Sequence, residues 1–105
     1  MVALHCPATL LVATPPRGAK GVASLVDALA GERVLAVVRP PDLTVGEELA
    51  QRLGAPLEDE EGLAAGEAPP ATLGAIADLH RGETVLVLAS PGEVTDAPFV
   101  RLELD

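Results

Sequence analysis

Short apolar runs alternate with segments of helical periodicity along the chain, and most runs are followed by a proline-bearing corner. The first run covers residues 9–13 and turns at residues 14–18. Gly31 is expected to end the helix that follows, since glycine readily adopts the left-handed conformation common at helix C-termini. Apolar side chains recur in this helix at the i, i+3, i+4, i+7 spacing of an amphipathic helix, at Val22, Leu25, Val26 and Leu29.

The same pattern predicts a second strand and helix. The strand covers residues 34–38, and the chain turns at residues 39–42. Thr44 and Glu47 have the spacing of a capping box, in which two side chains bond the free N–H groups of a helix start. Gly54 is expected to end this helix. Its apolar stripe is expected to consist of Val45, Leu49 and Leu53.

The third repeat begins with a long acidic passage. Residues 56–70 are expected to contain at most a short strand or turn, and the helix opens at residues 69–72. Gly82 is expected to end that helix before a strand at residues 84–88. Residues 99–104 alternate apolar and polar, as an edge or half-exposed strand does. The apolar side of the helix is expected to consist of Leu73, Ile76 and Leu79.

These elements predict a single α/β domain over residues 1–105, too small for a second core. Continuous apolar strands that alternate with helices are typical of a parallel sheet covered on both faces. We therefore expect a three-layer α/β/α sandwich, with a mostly parallel sheet of about four to five strands and about three helices.

Charge and composition exclude several classes of partner. The net charge is −9 and Phe99 is the only aromatic residue, so the chain lacks the basic surface and the stacking platforms of nucleic-acid binders. The same charge opposes binding to an anionic membrane, and no apolar run approaches the roughly 20 residues of a membrane span. Cys6 is the only cysteine and cannot form an internal disulfide. We expect a cytoplasmic protein that binds neither nucleic acid nor membrane.

The amino-acid usage also bears on habitat. The sequence has ten prolines, no asparagine and six arginines to one lysine. Abundant proline and scarce thermolabile residues favour a thermophilic source, although a GC-rich genome would favour some of the same residues.

Ligands of open α/β sheets bind outside the carboxyl ends of the strands, and the segments around those positions resemble a known family. Residues 13–15 are Ala-Thr-Pro, residues 53–56 are Leu-Gly-Ala-Pro, and residues 80–88 are His-Arg-Gly-Glu-Thr-Val-Leu-Val-Leu. Residues 45–50, Val-Gly-Glu-Glu-Leu-Ala, and residues 59–63, Asp-Glu-Glu-Gly-Leu, lie between them. Their order is similar to that of the histidine phosphatase superfamily, and it implies a phosphoglycerate-mutase-like fold over most of the chain.

The departures from the family pattern fall on its chemistry. In the family, a histidine after the first strand takes the phosphoryl group, and a second histidine and two arginines hold its oxygens. The resemblance places Thr14 at the nucleophile and Ser90 at the second histidine. It places Ala13 at the position of the first arginine, and Ala65 near the position of the acid that protonates the leaving group. Among the residues at the strand ends, only Arg39 could replace one of the family's arginines. The family reaction is therefore expected to be absent or very weak.

A phosphate-type anion is the ligand that the strand ends could still hold. Arg17 precedes a helix whose free N–H groups could bind a phosphate, and the alternative is a proline-glycine turn with solvated charges. Neither a Walker A motif nor a dinucleotide fingerprint is present, so no cofactor is expected. The candidate anion-binding residues are Arg17, Arg39, Thr14 and Ser90.

Other polar groups have structural interpretations. His5 and Cys6 lack the further ligands that a zinc site needs, so no metal is expected. His80 is predicted in the last turn of its helix, where capping explains it better than catalysis. The acidic residues 58–61 could bind a cation but are more typical of a solvated loop.

Two functions from different classes remain open. The first is a non-catalytic binding or oligomerisation module with a phosphatase-like core, whose partner is a second copy, another protein or a phosphate-type anion. The alternative is a phosphohydrolase with an altered site that acts on a small phosphomonoester or a phosphoprotein.

Overall fold

Strands and helices alternate along the chain in the computed structural model, which describes residues 7–41, 43–64, 66–91 and 97–104. A short 3-10 turn at Glu61–Leu63 lies in the acidic passage. The strands are β1 (Ala8–Ala13), β2 (Val34–Arg39), β3 (Leu57–Asp59), β4 (Thr84–Leu88) and β5 (Val100–Leu104). The helices are α1 (Gly18–Ala28), α2 (Val45–Leu53) and α3 (Pro70–Leu79).

The strands form a five-stranded sheet in the order β3-β2-β4-β1-β5. The first four strands in this order run parallel to their neighbours, and β5 runs antiparallel to β1 at one edge. The predicted α/β class is confirmed, with a mostly parallel five-stranded sheet and three helices among the described residues. The edge position predicted for the last strand is also confirmed.

Each face of the sheet has its own apolar cluster, because successive strand residues point to opposite faces. On one face, Leu11 and Leu86 belong to the same buried cluster as Leu25 of α1 and Leu49 of α2. On the other face, the buried cluster joins residues of the sheet, such as Leu10 and Val85, to Leu73, Ile76 and Ala77 of α3. Burying one such aliphatic side chain contributes about 1.5–3 kcal/mol. The continuous apolar strands predicted from the sequence are β1, β2 and β4, the three inner strands of the sheet.

Two of the predicted helix stops are confirmed. Gly54 follows α2 with φ 66°, and Gly82 lies in the turn after α3 with φ 79°. Both residues have the left-handed backbone that glycine adopts without steric cost. Gly31 also lies three residues after the end of its helix, but it is not among the described glycines with positive φ, so the left-handed stop predicted there is wrong.

The capping box predicted at Thr44 and Glu47 is wrong. Thr44 has helical dihedrals, φ −62° and ψ −30°, and its side chain makes no capping hydrogen bond. A threonine caps a helix only from an extended backbone, which aims its hydroxyl at the free N–H groups. The chain is already turning before this residue, since the Gly46 N–H donates to the Leu43 carbonyl at 3.0 Å.

Leu79 was predicted on the apolar side of α3, and this prediction is also wrong. Leu79 is 77% exposed, whereas Leu73 and Ile76 are buried as expected. At 3.6 residues per turn, Leu79 is rotated by roughly 60° from Ile76, away from Leu73. Ala77, which lies on the other side of Leu73 from Ile76 around the helix, is buried instead of Leu79.

Candidate functional site

The ends of β1 and β4 lie side by side, and they carry two of the predicted site residues. Ala13 is paired with Leu88 in the parallel ladder, and the Ala89 N–H donates to the Ala13 carbonyl at 3.0 Å. Thr14 and Ser90 follow these paired residues, and both are exposed. The structure thus brings Thr14 and Ser90 to the same end of the sheet, as expected for ligand-binding positions of an α/β fold.

Ser90 is held by the passage that precedes α3. Its N–H donates to the Gly66 carbonyl at 2.8 Å, and it forms a parallel β-bridge with Glu67. An open cleft lies at this point and is lined by Glu67, Ala68, Pro69, Pro70, Ser90 and Pro91. The β-bridge brings an acidic residue beside the end of β4.

Glu67 was not among the residues predicted from the sequence. The resemblance placed the acid near Ala65, which lies outside the described residues. Glu67 is two positions further along the same acidic passage, and its bridge to Ser90 puts it near the end of β4. The bridge to Ser90 is a long-range contact that the local pattern does not contain.

Arg39 binds groups on the far side of β2 from β4. Its Nε donates to Asp59 Oδ1 at 2.6 Å, and its NH1 donates to the Leu43 carbonyl at 3.0 Å. Glu47 of α2 is 3.9 Å from the same NH1, and the Arg39 side chain is only 13% exposed. These contacts tie the end of β2 to β3 and to the start of α2. They direct the guanidinium away from Thr14 and Ser90, so the structure does not assemble the four predicted anion-binding residues into one site.

Arg17 lies where β1 leads into α1. It is the N-cap residue of α1, with φ −113° and ψ 129°, and it is exposed. The Arg17 side chain makes no capping hydrogen bond, and no acidic residue occupies the first turn of α1. Lys20 is exposed in that turn. Of the two arginines predicted from the sequence, Arg17 is the one at the same end of the sheet as Thr14 with a solvent-exposed side chain.

His80 lies after α3 and joins two carboxylates. Its Nε2 lies 2.9 Å from Glu58 Oε1, and its Nδ1 lies 2.7 Å from Glu83 Oε1. The residue is 8% exposed. Burial lowers the pKa of His80, but the hydrogen bonds and charges of Glu83 and Glu58 oppose this effect, and the net pKa is raised. The imidazolium form donates from both nitrogens and is the form that these two partners favour.

The predicted role of His80 is therefore incomplete. It is the C-cap residue of α3, and its N–H donates to the Ala77 carbonyl at 3.1 Å. Its side chain also connects β3 to the turn before β4. The prediction of a solvated loop for the acidic run is wrong for Glu58 and Asp59, because both lie in β3 and pair with His80 and Arg39.

The side chains that commonly bind metals do not form a metal site in the part of the chain that the structure describes. No group of three or more His, Cys, Asp or Glu side chains there could hold a metal ion. His5 and Cys6 lie outside the described residues. No helix among the described residues is long and apolar enough to cross a membrane.

Similarity to known proteins adds nothing to this geometry. Comparison with protein-family models, curated proteins and solved structures finds no match. The chemistry of the site must be judged from its own residues. They are two hydroxyls, one carboxylate and an exposed arginine, and the one histidine among the described residues is bound by two carboxylates.

Proposed function

We propose that this chain is a non-catalytic α/β domain with the three-layer architecture of the histidine phosphatases, and that it acts by binding rather than by turnover. The observation that carries the proposal is the pairing of Ala13 with Leu88, which puts Thr14 and Ser90 at adjacent strand ends. The resemblance assigns these two positions to the histidines that transfer and hold the phosphoryl group.

The packing supports this architecture. The buried cluster on one face of the sheet includes residues of α1 and α2, and the cluster on the other face includes residues of α3. A site built from the first and the last parallel strand also requires these strands to be neighbours. In this chain β1 and β4 are neighbours and parallel.

The side chains at the strand ends support a role without turnover. A threonine hydroxyl is a weak nucleophile unless a base takes its proton, and the histidine of the described residues lies before β4 rather than after a strand. The oxygens of a transferred phosphoryl group also need positive partners. Arg39 is bound to Asp59 and to the Leu43 carbonyl instead.

One observation favours the alternative of a phosphohydrolase with an altered site. Glu67 is bridged to Ser90, so a carboxylate residue lies at the end of β4 and could act as a general acid or base. This alternative requires Thr14 or Ser90 to take part in turnover, and it therefore makes a prediction opposite to ours.

The two functions are separated by phosphate release from a panel of small phosphomonoesters and a phosphopeptide. We expect release at the rate of the buffer alone, with no change in the variants Thr14→Ala, Ser90→Ala and Glu67→Gln. Ser24→Ala, which removes an exposed hydroxyl in α1, is the matched control. Release above the buffer rate that is lost in Thr14→Ala or Ser90→Ala but kept in Ser24→Ala would overturn the proposal.

A further inference from the structure

We infer that β5 is a self-association strand, which pairs antiparallel with β5 of a second copy of this chain across a two-fold axis. This inference rests on the proposed function, because it names the partner of a domain that acts by binding. It is carried by the edge position of β5, by its apolar face and by the order of its two charges.

The outer edge of β5 has no strand partner among the described residues. β5 is the last strand in the sheet order, and its inner edge is paired with β1 from Ala8 opposite Leu104 to Val12 opposite Val100. An unpaired edge presents N–H and C=O groups that can pair with another strand. Proteins usually protect such an edge with a short strand, with charges or with a bulge.

The opposite edge of the sheet is a short strand whose charges are all negative, whereas β5 is longer and its two charges have opposite signs. β3 has only three residues, and an acidic run extends from Glu58 in this strand to Glu61. Two copies of this run would repel each other. β5 has five residues in regular alternation, and its register with β1 continues without a bulge.

One face of β5 is apolar and only partly covered. Val100, Leu102 and Leu104 are half-buried, and Leu102 and Leu104 pack against the cluster beneath α3. Val100 and Leu102 also line a small cleft together with Val12, Ala68, Leu73 and Pro91. A second β5 beside the first would extend this apolar face and cover more of these side chains.

The charges of β5 select one pairing register. When two copies pair about Leu102, Arg101 lies opposite the partner's Glu103, and Glu103 lies opposite the partner's Arg101. Leu102 lies opposite the partner's Leu102, and Val100 lies opposite the partner's Leu104. Opposite charges across a strand pair are stabilising, and like charges are destabilising.

Every neighbouring register is worse. A shift by two residues in one direction puts Arg101 opposite the partner's Arg101, and in the other direction it puts Glu103 opposite the partner's Glu103. A shift by one residue puts an apolar side chain opposite a charged one, because strand side chains alternate with a period of two. The selected register is also isologous, as a two-fold dimer requires.

The intramolecular contact of Arg101 is compatible with this pairing. One terminal nitrogen of Arg101 donates to Glu32 in its own chain. A guanidinium has five N–H donors, so the same side chain can also reach a carboxylate on a neighbouring strand. Arg101 and Glu103 are both exposed.

The test uses the full chain and measures its mass in solution by sedimentation equilibrium over a range of protein concentrations. We expect the wild type to dimerise. Glu103→Arg puts arginines opposite each other, and Arg101→Glu puts glutamates opposite each other, so each variant should raise the dimer dissociation constant by at least about tenfold. Arg81→Glu, which reverses an exposed charge after α3, should leave it unchanged.

Mixing the two variants tests the charge pairing directly. The Glu103→Arg chain carries two arginines and the Arg101→Glu chain carries two glutamates, so the mixed pair has opposite charges at every position. We expect a heterodimer from two chains that are each monomeric alone. Circular dichroism and thermal unfolding of each variant confirm that the fold is kept, and Glu103→Arg leaves the contact between Arg101 and Glu32 in place.

Three outcomes overturn the inference: a wild type that stays monomeric, a dimer that neither charge reversal weakens, and variants that do not combine. None of them bears on the proposed function, since phosphate release is measured separately. Turnover that depends on Thr14 would overturn the binding role whatever the oligomeric state.

Discussion

Glu58 and His80 are 22 positions apart in the sequence, yet Glu58 Oε1 lies 2.9 Å from His80 Nε2. Glu83 Oε1 lies 2.7 Å from the other ring nitrogen. One half-exposed carboxylate thus lies on each side of a buried imidazole. This arrangement joins the edge strand β3 to the turn between α3 and β4, and it makes the stability of the fold depend on the protonation of one residue.

The free energy of unfolding is expected to fall as the pH rises through neutrality. The pKa of His80 is raised in the folded protein above its ordinary value of 6.5. A group whose pKa is raised by folding contributes its full stabilisation of the folded protein at pH values below its pKa in the unfolded chain. This contribution is lost as the pH rises through its pKa in the folded protein. Urea unfolding between about pH 5.5 and about pH 8.5 measures the effect. His80→Gln should remove most of the decline, and parallel curves for the wild type and this variant would contradict the assignment.

Two glycines near α3 should respond to alanine in opposite directions. A Cβ at Gly62 would lie 2.3 Å from Thr72 Oγ1 and 2.7 Å from Thr72 Cγ2, whereas a Cβ at Gly74 would meet no atom within 4 Å. We expect Gly62→Ala to destabilise by about 1–3 kcal/mol through overpacking. Gly74→Ala should stabilise by about 0.5–1 kcal/mol, because glycine is unfavourable inside a helix.

Chemical unfolding of both variants checks this prediction, and a second substitution tests its cause. Thr72→Ala in the Gly62→Ala background removes the two closest atoms and should recover part of the loss. Equal stability of Gly62→Ala and the wild type would mean that the 3-10 turn does not pack against Thr72 as described.

Ile76 and Leu79, which are three positions apart in α3, should differ sharply in their effect on stability. Ile76 is 3% exposed and Leu79 is 77% exposed. Ile76→Ala is expected to cost about 2–5 kcal/mol, as buried aliphatic truncations do. Leu79→Ala is expected to change stability by less than about 0.5 kcal/mol, as is usual on a surface. A large loss in Leu79→Ala, measured by the same urea titration, would show that this side chain is covered.

Arg17 and Arg39 should have separate roles in the presence of phosphate. Arg39 is bound to Asp59 and the Leu43 carbonyl, so Arg39→Ala should lower stability by about 1–3 kcal/mol equally with and without phosphate. A phosphate-type anion at the strand ends should raise the melting temperature, and Arg17→Ala should abolish that rise. Thermal unfolding over a phosphate series, with chloride at matched ionic strength, measures both effects. No rise in the wild type would contradict anion binding.

The sheet and its helices could be predicted from the sequence because their signals are local. Apolar runs mark central strands, and the spacing of residues such as Leu25 and Leu49 marks helix faces. The predictions that failed depend on the backbone conformation of the residue or on its exact position around the helix. Thr44 has the spacing of a cap without the extended backbone that a cap needs, and Leu79 lies just beyond the margin of its apolar stripe.

The site was less predictable, because its contacts are long-range. The sequence placed Thr14 and Ser90 at strand ends, but only the sheet order makes these ends adjacent. The β-bridge between Glu67 and Ser90 and the hydrogen bond between His80 and Glu58 join distant segments. A charged residue in a sequence does not reveal its partner, so Arg39 could be read as a ligand for an anion although Asp59 holds it.

The central claim is that the residues at the strand ends do not turn over a phosphate ester. Its most direct test is a single-turnover experiment, in which the protein is in large excess over a labelled phosphomonoester and released phosphate is followed over hours. We predict that release by the wild type equals that of the buffer and that Thr14→Ala and Ser90→Ala do not change it. Release that is faster with the wild type and returns to the buffer rate in either variant would contradict the claim.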